Sequence, residues 1–162
     1  MSAEDVVVRE VRSEDFSHLV EFFARLKTIN EELDPMYITV ADLRETIEKY
    51  VRESLGKEDV VLLVAEHNGS VVGALRAAVV DRIFYEPRLE GLITDLYVHP
   101  SYRRKGVAEK LIERLEEILA QRGIELIAAE YPPGNRIANK FYEKLGFRPL
   151  LVRVYRKVRG TR

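Results

Sequence analysis

Two groups of residues in this sequence have types and spacing that could do chemistry. Arg103, Arg104 and Lys105 stand just ahead of Gly106 and an apolar-periodic run, Val107, Leu111, Leu115, Ile118 and Leu119. That run reads as a helix from near Lys105 or Gly106 to about Gln121, with Gly123 as its C′ residue. A helix start is already positive, so each cation there is misplaced by roughly 0.3–1 kcal/mol. Free amides, an open backbone at Gly106 and three cations together suit an anion. The alternative is that the basic side chains turn into solvent beside Glu109, and charge alone does not separate the two. The second group is acidic. Ile93, Leu96, Tyr97 and Val98 are types that pleated surfaces favour, and Pro100 ends the strand they imply. Asp95 falls between Ile93 and Tyr97 on one face of that strand, a costly place for a carboxylate unless it is paired or functional.

The elements that must hold these residues follow from pattern and punctuation. Val6 to Val11 is a short β run, and Ser13 is placed to cap a helix from about Glu14 to Asn30. Asp34-Pro35 breaks that helix, and Thr39 with Asp42 predicts a second, capped helix to about Ser54, ended by Gly56. Val60 to Glu66 and Val71 to Val80 read as strands joined at His67-Asn68-Gly69-Ser70, a hairpin turn with the favoured Asn-Gly pair. Asp81 to Gly91 is a loop, Glu125 to Glu130 another strand, and Pro132-Pro133-Gly134 a rigid turn. A short helix follows from Asn135 or Arg136 to Leu145, with Asn135 as its cap, Gly146 as its C′ residue and Phe147 folding back on Phe141 or Tyr142. Leu150 to Tyr155 reads as the last strand, and Arg159 to Arg162 as a frayed end. The order β-α-α-β-β-β-α-β-α-β predicts an α/β (α+β) chain with helices on the faces of a mixed sheet. Its Thr94–Glu130 crossover joins two parallel strands.

Composition narrows the function classes. A chain of 162 residues, 46% apolar and 33% charged, fits one soluble domain spanning 1–162 with a core of ordinary size. A net charge of −1 argues against nucleic acid as partner. Without cysteine there is no disulfide, thiol nucleophile or thiolate metal site, and His18, His67 and His99 are too scattered for a zinc cluster, so no metal is expected. There is no apolar run near membrane-spanning length and no leader-like start, so the expected location is the cytoplasm, with no membrane partner.

Two separated signatures then line up. Arg103-x-x-Gly106-x-Ala108 matches the Arg/Gln-x-x-Gly-x-Gly/Ala acyl-CoA motif of the GCN5-related N-acetyltransferases (GNAT). Further on, Asn135-x-x-Ala138-x-x-Phe141-Tyr142-Glu143-Lys144-Leu145-Gly146-Phe147 resembles that family's second motif. The likeness covers Val60 to Tyr155, and the N-terminal third only by element order. It implies a mostly antiparallel twisted sheet of about six or seven strands with four helices on its faces. Within the family, Tyr85-Glu86-Pro87 ahead of Asp95-Leu96-Tyr97-Val98 is similar to polyamine (spermidine/spermine) acetyltransferases, although Thr94 replaces the family's acidic residue before that aspartate.

The resemblance supplies the missing anion. It implies that the amides of Arg104 to Glu109 (Lys105, Gly106, Val107 and Ala108 between them) cradle the pyrophosphate of acetyl-CoA, with Arg103 beside them. Leu96, Tyr97 and Val98 would bond pantetheine along the strand, with one amide polarising the thioester carbonyl. Asn135 and Tyr142 would stand near the co-substrate, and Tyr142 would protonate the departing thiolate. An acceptor ammonium, with pKa about 10.4 if lysine-like, must first lose a proton. Asp95 and Glu130 are the candidate bases, with Glu90 a third, each open to a purely structural reading. Glu31, Tyr37, Tyr85 and Glu86 are candidates to receive a cationic amine, beside Glu32 and Asp34. The expected activity is transfer of an acetyl group to a primary amine by direct attack in a ternary complex, the amine small or polyamine-like. The alternatives are a protein N-terminus or lysine, or a silent CoA-binding module. The last strand and terminal segment are candidate edges for a homodimer.

Overall fold

Alternation along 61–65 sends Val61, Leu63 and Ala65 into one apolar cluster and Leu62 and Val64 into another, and all five are buried. A strand buried on both faces needs a layer on each side. The structure is a computed structural model describing residues 5–161. It supplies those layers from β1 (Val7–Glu10), α1 (Phe16–Leu33), α2 (Leu43–Leu55), β2 (Val60–His67), β3 (Ser70–Asp81), β4 (Leu89–Val98), α3 (Val107–Gln121), β5 (Leu126–Ala129) and α4 (Arg136–Lys144). The strands lie in chain order, antiparallel except for the β4–β5 pair, which is parallel. Helices α1 and α2 cover one face through Leu19, Phe22, Phe23, Ile47 and Val51. Helix α3 covers the other through Val107, Leu111 and Leu115, and Tyr142 of α4 joins that side.

Five strands replace the six or seven expected among the described residues, and the difference lies at the C-terminus. Leu150 to Tyr155 forms no strand, because strand preference is largely a preference for packed neighbours and nothing among the described residues covers these side chains. Two caps are also corrected. Ser13 opens a 3-10 turn in which Asp15 accepts from the Arg12 amide at 2.8 Å, and α1 starts after it. Thr39 caps nothing: its amide and hydroxyl both donate to Glu31, and α2 begins only at Leu43.

Helix α3 lies close on the sheet because two strand positions lack a side chain. A Cβ on Gly73 would meet the Tyr97 carbonyl at 3.2 Å and Leu111 at 3.4 Å. A Cβ on Gly91 would come within 2.5 Å of Leu119. Gly91→Ala should therefore lower stability by about 1–3 kcal/mol, read as a lower urea midpoint at unchanged m-value.

Candidate active site

The β4–β5 ladder is short. Its pairs run from Glu90↔Leu126 to Ile93↔Ala129, and the Glu130 amide closes it on the Ile93 carbonyl at 3.2 Å. Strand β4 continues to Val98 with only β3 beside it. The His99 amide donates to Val72 on the β3 side at 2.8 Å, so by antiparallel alternation the backbone groups of Leu96 and Val98 face the opened side. There the Val98 carbonyl accepts from Arg103 Nε at 3.0 Å. Tyr97 instead turns its side chain to the α1 layer, 5.2 Å between ring centres from Phe22.

The open edge runs into the start of α3. After a 3-10 turn at Pro100–Tyr102, Arg104 and Gly106 take positive φ, 61° and 79°. No backbone carbonyl among the described residues accepts from the amides of 104 to 109; the Lys110 amide is the first to bond, to Gly106. Side chains at 106 and 108 are absent or small, and Glu109 complements the first turn. The donor set therefore fits a pyrophosphate. The three cations separate in role. Arg103 folds back over the Tyr97 ring and Lys105 lies over Tyr102, whereas Arg104 is exposed with neither ion pair nor hydrogen bond among the described residues.

A one-residue irregularity shapes the opposite layer. Arg76 pairs with Asp95 and Ala77 with Ile93, so Thr94 is an extra residue in β4. The bulge reverses the expected face of Asp95: Ile93 packs with α3, and Asp95 joins Tyr97 under α1 and α2. Asp95 is 1% exposed. It accepts from Lys27 Nζ at 2.5 Å, Tyr50 Oη at 2.9 Å and Thr94 Oγ1 at 2.9 Å. Arg76 donates to Ser54 and Thr94 at 2.9 and 3.0 Å, with its guanidinium carbon 4.3 Å from the Tyr50 ring centre. Burial first, then the Asp95 charge, pushes the Tyr50 hydroxyl well above its ordinary range. With three donors on its oxygens, Asp95 is a paired counter-ion that braces the bulge. Lys27, Tyr50, Ser54 and Arg76 were missed from sequence. Only Arg76 carried a local signal, as a lone charge in Gly73-Ala-Leu-Arg-Ala-Ala.

Glu130 stands differently. It is exposed where β4 and β5 part, and its carboxylate makes no hydrogen bond or ion pair among the described residues. The next residue, Tyr131, stacks on Tyr142 at 5.4 Å and 7°, and donates to Asn139 at 3.0 Å. Tyr131 was also missed. Tyr142 is enclosed by Tyr131, Phe141 and Phe147, and burial raises its hydroxyl above the usual range. Asn135 caps α4 by accepting from the Ala138 amide at 3.0 Å, and Gly146 ends the helix at φ 88° with Phe147 against Tyr142.

The acceptor candidates are not gathered in one place. Glu31 is engaged by Thr39 and held below the ordinary carboxylate range by that hydroxyl and then the amide. Tyr37 is exposed in the turn after α1, whose Leu33 carbonyl would lie 3.6 Å from a Cβ on Gly134. The β5–α4 loop thus borders the end of α1. Tyr85 and Glu86 are exposed in the loop before β4, about 20 Å of strand from Asp95 at ~3.3 Å per residue. Glu90 lies at that paired end too.

A layered α/β fold, a parting strand pair and a helix start rich in free amides define a class that comparison with known proteins identifies. The family model described as "Acetyltransferase (GNAT) family" matches residues 23–147, and the chain belongs to that family. Among solved structures, a predicted acetyltransferase with acetyl-CoA from Clostridium acetobutylicum is 22% identical, with TM-score 0.76, over 94% of this chain and 96% of that one. The tetramutant of the BH1408 protein from Bacillus halodurans is 15% identical, with TM-score 0.82, over 94% and 99%. An aminoglycoside acetyltransferase from an uncultured soil metagenomic sample, in complex with sisomicin, is 16% identical, with TM-score 0.71, over 96% and 98%. These likenesses concern the fold.

Proposed function

We propose that this protein is an acetyl-CoA-dependent N-acetyltransferase acting on a small primary amine of polyamine type. The observation that carries the reading is the open edge of β4 leading straight to the unbonded amides of 104 to 109. Arg104 to Glu109 hold the pyrophosphate, with Arg104 as the mobile counter-charge. The Leu96 and Val98 backbones hold pantetheine as a half-strand, and one of their amides stabilises charge on the acyl oxygen. Acetyl-CoA supplies the activated acetyl group. Glu130, unpaired at the parting of the strands, removes a proton from the acceptor ammonium, directly or through water. Tyr142, kept protonated by its burial, donates a proton to the departing sulfur. Asp95 holds β4 in place and does not exchange protons with substrate. Tyr37 borders the acceptor entrance, whereas Tyr85 and Glu86 stand at the far, β5-paired end of β4 and take no part in holding a small amine.

A panel of polyamines, short amines, aminoglycosides and lysine- or N-terminal peptides, assayed by thiol release from acetyl-CoA, tests this reading. Turnover highest with polyamines is expected. Preference for peptides would move the acceptor class, and no turnover on any amine would leave a CoA-binding module.

Binding is tested separately. Acetyl-CoA near a hundred times its Kd should stabilise the native chain by about 2.7 kcal/mol, a rise of about 5–10 °C in Tm. Gly106→Glu should abolish the rise, because it forces a side chain onto a positive φ and sets a negative charge among the anion-binding amides.

A further inference from the structure

A buried cation ordinarily has a carboxylate beside it, and Arg76 does not. It is 9% exposed in the middle of β3, and Asp95, its partner in the strand register, forms its ion pair with Lys27 instead. What holds Arg76 is a fork. Its Nε donates to Ser54 Oγ and its Nη1 to Thr94 Oγ1, and the Tyr50 ring lies against the guanidinium. Ser54 and Tyr50 stand one turn apart on α2, and the Ser54 hydroxyl donates to the Tyr50 carbonyl at 2.7 Å. Thr94 is the extra residue of β4. One side chain on β3 therefore ties α2 to the bulge.

The bonds of this brace run in one direction. A guanidinium only donates and a carboxylate only accepts. Thr94 Oγ1 therefore accepts from Arg76, and its single hydrogen goes to Asp95 Oδ2 at 2.9 Å in preference to the Arg76 carbonyl at 3.4 Å. The Tyr50 hydroxyl donates to the same carboxylate oxygen. The Thr94 side chain is thus pinned from both sides. The pin matters because a slide of the bulge by one residue turns the side chains it crosses to the other face. A slide toward Leu96 would carry Asp95 onto the α3 face, among Val107 and Leu111, and re-aim the backbone that follows.

We propose that Arg76, acting through the Thr94 hydroxyl, is a positioning residue for acyl transfer, a role that rests on the acetyltransferase reading. Its fork locks the bulge in the one register that aims the Leu96 and Val98 backbone at the acyl oxygen. Arg76 and Thr94 lie outside the row of amides at the start of α3. Loss of the fork therefore slows the transfer far more than it weakens co-substrate binding.

Thr94→Val keeps the shape of the side chain and removes its hydroxyl, whereas Thr94→Ser removes only a methyl group. In the thiol-release assay, Thr94→Val should lower kcat by roughly 10–10²-fold with KM for acetyl-CoA within about threefold, and Thr94→Ser should recover most of that loss. Arg76→Lys keeps the charge without the fork, so it should lose rate similarly, and the double variant Arg76→Lys, Thr94→Val should be no slower than the slower single one. Each variant is assayed well below its own unfolding midpoint, and a retained acetyl-CoA thermal shift shows that it is folded. A brace that serves stability alone would lower the midpoint and leave kcat of the folded protein unchanged, which overturns the proposal. Failure of Thr94→Ser to recover the rate, or losses that multiply in the double variant, overturn it too. A wild type that acetylates no amine overturns the acetyltransferase reading and this role with it, whereas an active wild type beside an equally active Thr94→Val overturns this role alone.

Discussion

Tyr142→Phe should lower kcat by about 10²–10⁴-fold while leaving the acetyl-CoA thermal shift and the unfolding midpoint nearly unchanged. The phenyl ring preserves the stack on Tyr131 and the edge contacts to Phe141 and Phe147, so only the hydroxyl is lost. That hydroxyl has no protein partner among the described residues, so its removal strands no buried donor or acceptor. Its ionisation is opposed mainly by desolvation and then by Tyr131, so it remains an acid well past the ordinary tyrosine value of about 10. The alkaline limb of the pH profile should consequently be set by other groups. Unchanged kcat in Tyr142→Phe would remove the tyrosine from the mechanism.

Asp95→Ala should destabilise the protein by about 1–3 kcal/mol, measured by urea unfolding, because it removes the counter-charge of Lys27 and the acceptor of Tyr50 and Thr94. Asp95→Asn should lose less, keeping the shape and an acceptor but not the charge. If Asp95 braces the bulge, the folded fraction of Asp95→Asn should keep kcat within a few-fold of wild type. If Asp95 were the general base, the pattern would reverse, with kcat collapsing in a protein of near-normal stability. Glu130→Gln is the control, since that exposed side chain should affect turnover and barely affect stability.

The parts of this chain legible in its sequence are those where local pattern and tertiary environment agree. The Asn68-Gly69 hairpin, α3 ended at Gly123, and α4 between Asn135 and Gly146 are all found within a residue or two of expectation. Thr39 misled because its hydroxyl had two local uses, a cap or a bond across to Glu31, and the tertiary one won. Asp95 misled for a geometric reason. Strict alternation puts it with Ile93, but Thr94 shifts the phase, and a bulge without glycine or proline leaves no compositional mark. Its partner Lys27 is far away in sequence and could be found only from the packing of α1 on β4. Leu150 to Tyr155 has strand periodicity without a strand because periodicity reports what a segment can pair with, not whether it is paired.

The tight seat of α3 has a consequence for affinity at a distance. Helix α3 is 15 residues long, about 22 Å at 1.5 Å per residue, and it rests on Gly73 near its first half and on Gly91 near its last turn. It behaves as a beam on two supports, its free end being the row of amides that meets the anion. Raising the far support by one methyl group tilts the beam and misaims the amides, although Gly91 touches no ligand. Remote packing and co-substrate binding should then vary together, and variants at Gly91 should lose acetyl-CoA stabilisation beyond what their lower unfolding midpoint accounts for.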